Sequence, residues 1–490
     1  MHANASNSDT AAKACALPSP ALLRGHLAAL GQGLLERDEA VHLALLAALA
    51  GEHVLLIGPP GTAKSALARR LHLAFDEARY FERLLTRFST PEELFGPLSL
   101  KALEHDRYER LTEGFLPTAG IAFLDEVFKA NSAILNALLT LLNERLFDNG
   151  TARTPVPLVA VVAASNEVPA DEALHAFYDR FLVRVPVAPV SDEAFAALLA
   201  LSALDEDSAP ALTPIRAAQR LALAAAAAEV DIGEDFVAGC AALRAWLAER
   251  KAPLSDRRWR QIVGLARVAA ASEGRARLDA LDLWLAPYVA SAAPADVAPL
   301  SAWFEDQVLG APPAGAPWLE RAVSAFERQL GIEEQMPAFD GDGDSEAGKL
   351  ALARAIGLGE GEAPGTEGGA MPRIVSQHLE DRLRKRWGAL HVRSRVAQVA
   401  EIEAQVAAAL AEVQAAADAL AARCAPRLWL PPSRVQRWSA RYAAASAQLA
   451  GWAVRLAAAR TGFAALPIDE GDAGAAPAPV PLTQDEPATA

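Results

Sequence analysis

Residues 53–65 read HVLLIGPPGTAKS. The apolar run 53–57 predicts a short buried strand, and the Gly/Pro-rich residues after it predict a tight loop that leads into a helix. A loop between a strand and a helix points backbone N–H groups at bound phosphate, and the positive end of the helix dipole adds to the attraction. This stretch therefore predicts a phosphate-binding loop in an α/β fold.

The loop comes close to the GxxxxGK[ST] pattern of nucleotide-binding proteins. Lys64 is expected to bridge the β- and γ-phosphates of ATP, and the Ser65 hydroxyl is expected to hold Mg²⁺. Ala63 stands where the pattern has its last glycine, and alanine is small enough not to block the loop. The alternative is a Gly/Pro turn followed by a surface lysine. The predicted nucleotide-binding residues of the loop are Gly58, Pro59, Pro60, Gly61, Thr62, Ala63, Lys64 and Ser65.

Polar residues follow two further apolar runs, and ligands of such sheets bind at the carboxyl ends of the strands. Asp125 is expected to belong to the nucleotide-binding site and to orient Mg²⁺ together with Ser65. Glu126 is expected to polarise the attacking water. An acidic helix N-cap is the alternative for this pair. Asn166 is expected to hold that water near the γ-phosphate, although an Asn at a strand end is commonly a turn residue.

Two arginines complete the predicted catalytic set of Glu126, Asn166, Arg180 and Arg257. Arg180 lies among aromatic residues just before the last predicted strand. It is either a salt-bridged surface residue or a finger inserted into a neighbouring subunit's site. The sequence SDRRW (255–259) opens a later helix, from which Arg257 could reach back to the phosphates, with Arg258 as the alternative.

The order of the predicted elements gives the fold class. Short apolar runs alternate with helical patterns, which predicts an α/β P-loop core, with a parallel sheet and flanking helices, over residues 18–190. Residues 191–300 contain no convincing strand and predict an all-α lid domain. The predicted strands lie within 53–57, 80–86, 120–124, 157–164 and 181–185.

Beyond the lid, apolar residues at steps of three and four predict a helical hairpin or coiled-coil arm. The arm is discontinuous, comprising residues 301–337 and 371–465. Residues 338–370 are rich in Gly, Asp and Glu and predict a flexible linker. The termini, residues 1–17 and 466–490, are predicted to be disordered.

The composition excludes several classes of protein. The 490 residues include 46 basic and 61 acidic residues, which gives a formal charge of −15. This balance argues against a protein that mainly coats nucleic acid or an anionic membrane, since both need clustered basic residues. Its three cysteines form no CxxC pair and no run of 18 apolar residues lacks charge, so we expect a cytoplasmic protein without disulfides or membrane spans.

These motifs resemble the MoxR branch of AAA+ ATPases, most closely its RavA (regulatory ATPase variant A) group. The resemblance covers about residues 20–300. In that family the motifs are Walker A, Walker B, sensor 1, arginine finger and sensor 2, and they imply ATP hydrolysis with Mg²⁺ by a homo-oligomeric ring, usually a hexamer. It rests on LLERDEAVHLALLAALAGEHVLLIGPPGTAKS, TRFSTPEELFGPLSL, RYERLTEGFLP, FLDEVFKANSAILNALLTLLNER, AASNEVP, FYDRF and SDRRW.

The resemblance also implies two inserts, a helix-2 hairpin at 89–117 and a hairpin at 145–156 with an Asn149-Gly150 turn. It implies a von Willebrand A-domain partner of the ViaA type and a role in remodelling, assembling or activating a partner protein. RavA proteins carry a β-rich LARA domain between their helical arms, whereas residues 338–370 are too short for one. We expect the hairpin around 374–460 to bind a partner and to be dispensable for ATP hydrolysis. The alternative is that it packs on the lid helices and stabilises the whole subunit.

Three other functions remain open at this stage. One is a chelatase-like ATPase that assists metal insertion, and another is a nucleotide-gated scaffold with slow hydrolysis. A DNA-acting AAA+ protein is the third, and the charge of −15 disfavours it.

Substitutions in the two Walker motifs should have different effects. Lys64→Ala should abolish ATP binding, because the main phosphate-binding cation is lost. Glu126→Gln should retain binding but stop hydrolysis, because the Mg²⁺ ligand remains while the carboxylate that polarises water does not. Nucleotide binding and turnover measured on both variants check this, and a normal turnover rate in Glu126→Gln would show that another group is the base.

Overall fold

The computed structural model describes residues 17–169, 171–201, 212–313, 315, 317–336, 385–469 and 474–481. The chain divides into two compact units. The first contains Met1–Ala311 and Ala422–Trp438, and the second contains Pro312–Ala421 and Ser439–Ala490. No helix in these ranges is both long enough and apolar enough to cross a lipid bilayer.

The secondary structure is as follows. The strands are β1 (Val54–Ile57), β2 (Tyr80–Leu84), β3 (Ile121–Asp125), β4 (Leu146–Asn149), β5 (Ala152–Pro155), β6 (Ala160–Ser165), β7 (Val183–Pro186), β8 (Asp231–Ile232), β9 (Arg277–Leu278), β10 (Trp387–Gly388) and β11 (Ile468–Asp469). The helices of the first unit before residue 312 are α1 (Pro20–Gly31), α2 (Asp38–Ala50), α3 (Lys64–Leu71), α4 (Pro91–Phe95), α5 (Leu100–Leu103), α6 (Ser132–Glu144), α7 (Glu172–Tyr178), α8 (Asp192–Ala200), α9 (Ala217–Ala228), α10 (Glu234–Glu249), α11 (Asp256–Ser272), α12 (Ala286–Val289) and α13 (Val297–Phe304). The later helices are α14 (Trp318–Gln335), α15 (Ala389–Cys424) and α16 (Pro432–Ala464).

The five predicted core strands form one parallel sheet in the order β2-β3-β6-β1-β7. Every residue of β1 and β6 is buried, which explains why these strands read as continuous apolar runs. In the register, Val54 of β1 lies beside Val162 of β6 and Val183 of β7. All carboxyl ends therefore lie at one edge of the sheet. The residues that follow β1, β3 and β6 lie at this edge as well.

A buried histidine joins the start of β1 to the elements around it. His53 Nε2 lies 3.2 Å from the carbonyl of Leu142 in α6, and its Nδ1 accepts a hydrogen bond from the amide of Val161 at 3.1 Å. This pattern requires the neutral ring with its proton on Nε2. Burial lowers the pKa of His53 to about 3, so the ring stays neutral at ordinary pH.

The two inserts take different forms. Strands β4 and β5 pair antiparallel around Asn149 and Gly150, as predicted. The segment 89–117 contains the short helices α4 and α5 and an antiparallel bridge between Leu98 and Arg110, and most of its residues belong to neither a helix nor a strand. Asn149 ties the inserts together, because its side chain accepts from the Arg110 amide at 2.6 Å and donates to the Arg110 carbonyl at 3.1 Å.

Helices α9 to α13 form the predicted lid. Among the described residues of 191–300, this domain departs from an all-α structure at the short parallel pairing of β8 with β9 and at a parallel bridge between Ile215 and Phe75. Residues 301–337 of the predicted arm are largely helical: they contain the end of α13, a π-helix at Glu305–Leu309 and α14.

The hairpin of α15 and α16 forms as predicted, but its turn is part of the first unit. We call residues 425–438 the tip. Trp429 and Trp438 are 1% and 0% exposed, and Trp438 packs on Phe304 with ring centroids 5.3 Å apart. The Trp429 Nε1–H donates to Ser272 Oγ at 2.8 Å. The expectation that the whole hairpin lies outside the nucleotide-binding unit is therefore wrong, since aromatic residues at the turn complete that unit's core.

The second unit has a buried polar centre. Glu333 is 3% exposed and accepts hydrogen bonds from Arg395 Nε at 2.8 Å and His391 Nε2 at 2.9 Å. Arg395 also donates to the carbonyl of Ala478 at 2.8 Å.

Part of the predicted disordered tail is ordered. Strand β11 pairs with β10, and Val480 is buried. The prediction of disorder for 466–490 is thus wrong for residues 466–469 and 474–481, which gain backbone and side-chain partners. The predicted linker at 338–370 and residues 1–16 of the predicted disordered N-terminus lie outside the described residues.

Truncation tests the role of the tip. A chain ending at Met336 would lose Trp429, Arg434 and Trp438, and would expose the apolar and polar surfaces that they cover. Since large core residues contribute about 3–5 kcal/mol each when truncated, we expect this chain to be insoluble or to melt at a much lower temperature. Thermal unfolding compared with the full chain checks this. An unchanged melting temperature for the first unit would contradict it.

Candidate functional site

The loop after β1 has a backbone that requires small residues. A Cβ on Gly58 would lie 2.0 Å from the carbonyl oxygen of Val187, so only glycine fits this close approach. Gly61 has φ +79° and Ala63 has φ +64°, both in the left-handed region. The small size of alanine is therefore not the only requirement at position 63. Its positive φ gives the physical reason why glycine is the usual residue at this position.

Lys64 is held at the loop. It is 8% exposed, and its Nζ donates to the carbonyls of Gly58 at 2.6 Å and Pro59 at 2.9 Å. Burial lowers the pKa of Lys64, and the negative charges of Asp125 and Glu126 oppose that shift. The ammonium therefore lies within electrostatic reach of both carboxylates, which brings the two Walker motifs together at the carboxyl edge of the sheet.

A residue that the sequence analysis missed supports the loop from outside. Arg37, 8% exposed, directly precedes α2. Its Nε donates to the Thr62 carbonyl at 3.1 Å, and its Nη2 donates to the Ala188 carbonyl just beyond β7 at 2.7 Å. The signal available in the sequence was an arginine in the segment LLERDEAVHL, which carries no recognisable pattern by itself.

The predicted base is positioned by two neighbours. Asn166 Nδ2 donates to Glu126 Oε1 at 2.6 Å, so the structure brings together the residues that follow β3 and β6. Lys129, which the sequence analysis also missed, lies 3.2 Å from the same oxygen. Glu126 itself has φ +51°, and its amide donates to Asp125 Oδ1 at 3.0 Å.

The structure separates Arg180 from the phosphate loop of its own subunit. Arg180 lies three residues before Val183, whose amide bonds to the carbonyl of His53 at the amino end of β1. The phosphate loop follows the other end of β1, about 13 Å away at 3.3 Å per residue. Arg180 Nε is buried without a hydrogen-bond partner among the described residues.

Arg257 and Arg258 lie at the same amino edge. Arg258 is 3% exposed and donates to the carbonyls of Val289 at 2.6 Å and Leu182 at 2.9 Å, so it holds the lid to the start of β7. Arg257 is exposed, and its charge acts on the carboxyl of Glu52, two residues before β1. The expectation that Arg257 reaches back to the phosphates of its own subunit is not met, because the sheet lies between them.

The donors at the carboxyl edge fit a nucleoside triphosphate with Mg²⁺. The loop offers N–H groups, with open space around Gly61, and the ammonium of Lys64 provides a positive charge. Ser65 and Asp125 supply hard oxygen ligands, and Mg²⁺ is usually held by one or two protein groups together with phosphates and water. Sequence comparison agrees with this chemistry.

Residues 21–222 match the family model described as the MoxR domain in the MoxR-vWA-beta-propeller ternary systems, and residues 237–304 match one described as an AAA lid domain. These matches support a MoxR-type AAA+ ATPase. With the parallel sheet, the flanking helices and the helical C-terminal region, they confirm the predicted fold class: an AAA+ P-loop core, an all-α lid and a helical hairpin.

Individual relatives cover the same region. Two uncharacterized proteins of Methanocaldococcus jannaschii, MJ0079 and MJ0812, are 44% and 42% identical over 250 and 252 residues. Each alignment covers 51% of this chain, and 64% and 66% of those proteins, so the chain spans just under two thirds of their length. Structural protein ORF618 of Acidianus two-tailed virus is 32% identical over 169 residues, which is 31% of this chain and 27% of that protein. A solved structure from Cytophaga hutchinsonii aligns with a TM-score of 0.43 and 16% identity, over 60% of this chain and 88% of that one.

The left-handed backbone at Ala63 can be tested by stability. Ala63→Gly should raise the free energy of unfolding by about 1 kcal/mol, because glycine adopts φ +64° without the steric cost paid by alanine. The matched control is Ala66→Gly in α3, where φ is helical and glycine should cost about 0.5–1 kcal/mol. Denaturant unfolding compares the two variants, and destabilisation of both by the same amount would contradict the argument.

Proposed function

We propose that this chain is a ring-forming ATPase that uses ATP hydrolysis to remodel, assemble or activate a partner protein. The observation that carries the proposal is the Glu126 carboxylate, held by Asn166 and Lys129 beside a phosphate loop with a buried lysine. A protein that only bound nucleotide would need the loop but not a positioned base.

In this proposal the residues of the carboxyl edge divide the chemistry among them. The loop amides and Lys64 bind the triphosphate, while Ser65 and Asp125 hold Mg²⁺, which neutralises charge on the phosphates when bound. Glu126 accepts a hydrogen bond from the attacking water and polarises it. Asn166 fixes the orientation of the Glu126 carboxylate and lies where it can also contact the water.

The arginines at the amino edge are proposed to act in trans. Arg180 and Arg257 lie on the side of the sheet opposite to their own phosphate loop, so neither can complete the site of its own subunit. A head-to-tail contact brings the amino edge of one subunit to the carboxyl edge of the next, and such contacts generate a closed ring if the rotation closes. We propose a homo-oligomer of this kind, a hexamer by resemblance to the family.

The proposed partner carries a von Willebrand A domain. Support comes from the family model that matches residues 21–222, whose description names MoxR, vWA and beta-propeller components together. The RavA-like assignment and a partner of the ViaA type rest on the motif resemblance alone. The cytoplasmic location stays part of this proposal.

Two alternatives predict different kinetics. A nucleotide-gated scaffold would hydrolyse ATP slowly whether or not a partner is bound, whereas a remodelling ATPase should be accelerated by its partner. A chelatase-like ATPase should respond to its partner only when the metal is supplied. ATP turnover measured with purified vWA-domain candidates, with and without added divalent metal, separates the three.

Mixed rings test the trans role of Arg180. Arg180→Ala and Lys64→Ala should each be inactive alone, because each breaks every site in a uniform ring. Arginine fingers contribute about 10³–10⁵ in rate where measured. A mixture should regain turnover, since the loop of an Arg180→Ala subunit can meet the finger of a Lys64→Ala subunit.

The control for this experiment is a mixture of Lys64→Ala with Glu126→Gln. Lys64 and Glu126 both belong to the part of a site that a single subunit supplies from its carboxyl edge. Every site in the mixed ring therefore lacks one of them, and no intact site can form. Absence of regained turnover in demonstrably mixed Arg180→Ala and Lys64→Ala rings would contradict a trans finger.

A further inference from the structure

The carbonyl groups of the phosphate loop need hydrogen-bond donors, just as its N–H groups need the acceptor oxygens of a phosphate. A peptide group is planar, so an N–H that points at phosphate turns the carbonyl of the same peptide outwards. The peptide between Thr62 and Ala63 is held in this way, because its carbonyl accepts from Arg37 Nε at 3.1 Å. Arg37 thereby sets the orientation of the amide of Ala63, the residue directly before Lys64.

Arg37 is anchored to a helix that cannot easily adjust. It occupies the N-cap position of α2, and its carbonyl accepts the first helical hydrogen bond, from Val41 at 2.9 Å. Nine residues of α2 are buried in the core of the first unit. A displacement of the first turn of α2 therefore changes the position of the Arg37 guanidinium at the loop.

The tip holds that first turn. The Ser433 amide donates to Asp38 Oδ2 at 2.8 Å, and Arg434 Nε donates to Glu39 Oε1 at 3.2 Å. Arg434 is 1% exposed, and its Nη2 donates to the hydroxyl of Tyr288 at 2.6 Å. Three consecutive residues thus make contacts on two sides. Arg37 donates to the loop, and Asp38 and Glu39 accept hydrogen bonds from the tip.

We propose that the tip is a positioning element for nucleotide binding, acting through Glu39 and Arg37 on the Thr62–Ala63 peptide. Arg434 and Glu39 are positioning residues and do not touch the nucleotide. The two helices that leave the tip, α15 and α16, continue into the second unit, so this contact connects the arm to the phosphate loop along the chain. The inference rests on the proposed function, because it concerns the same nucleotide site.

The test measures nucleotide affinity in full-length variants. Arg434→Met and Glu39→Leu each remove the Arg434–Glu39 pair and leave the Ser433–Asp38 hydrogen bond in place, and Arg37→Met breaks the contact with the loop. Each should raise the Kd for a fluorescent ATP analogue, and the KM for ATP, at least fivefold. The kcat should stay within twofold, because Glu126 and Asn166 stand on other strands. A KM effect without a kcat effect is not expected from general loss of folded protein, which lowers the apparent kcat.

Two variants serve as controls. Glu39→Gln keeps an oxygen that can accept from Arg434 Nε, so its Kd should stay within twofold of the wild type. Arg427→Met removes another buried arginine of the tip, which pairs with Asp279 and Asp282 and does not touch α2. It should lower the melting temperature without weakening nucleotide binding at a temperature where the protein is folded.

The Arg37→Met and Arg434→Met double variant adds a further check. If both residues act along one path, its Kd should be no higher than that of Arg37→Met alone. If Arg434→Met does not fold, Glu39→Leu replaces it in every comparison.

Wild-type affinity in folded Glu39→Leu, or equal weakening by Arg427→Met, would overturn the inference. Failure of the proposed function looks different, since the wild type would then bind no ATP analogue, or Lys64→Ala would bind it as well as the wild type.

Discussion

Parallel pairing of β1 between β6 and β7 is the constraint on which the rest of this structure depends. It places the carboxyl ends of β1, β3 and β6 at one edge, and the phosphate loop, the Asp125–Glu126 pair and Asn166 follow these ends directly. The same pairing sends the residues before β7 to the opposite edge. The separation of the carboxylates from Arg180 and Arg257 is thus a consequence of strand direction, and it is the basis for the proposed trans arrangement.

The phosphate loop shows how backbone hydrogen bonding organises such a site. Its inward N–H groups are available to a ligand only because the outward carbonyls have other donors. Lys64 donates to the carbonyls of Gly58 and Pro59, and the Thr62 hydroxyl also donates to the carbonyl of Pro59. Arg37 donates to the carbonyl of Thr62. Donors left without acceptors would carry a desolvation cost in this buried setting, so the loop and its supports stabilise one another.

The tip explains why the chain is not a simple succession of domains. Residues 425–438 come more than a hundred positions after the lid helices, yet two tryptophans and an arginine among them are buried in the first unit. Burying an arginine costs free energy unless its donors find acceptors; Arg434 Nε donates to Glu39 and its Nη2 donates to the Tyr288 hydroxyl, while Nη1 is buried without a partner among the described residues. The tip is therefore part of the nucleotide-binding unit, which is the basis for a positioning role.

The sequence by itself determined the local features whose signal lies in neighbouring residues. Five apolar runs predicted the five strands, the Asn149-Gly150 turn predicted the β4–β5 hairpin, and the order of loop, carboxylates and Asn166 predicted their common edge. The predicted pairing of α15 with α16 belongs to the same class, since helical periodicity and a Pro-rich turn are visible in the sequence.

Only the tertiary structure decided which distant groups support these features. Arg37 and Lys129 carry no pattern of their own, because a hydrogen bond to a distant carbonyl leaves no periodic trace in the sequence. The different surroundings of Arg257 and Arg258 also required coordinates: both belong to SDRRW, but helical rotation buries Arg258 against Leu182 and leaves Arg257 exposed. Whether the hairpin packs on the lid helices also stayed open in the sequence, since tryptophans on an amphipathic helix indicate burial but do not say against which part of the chain.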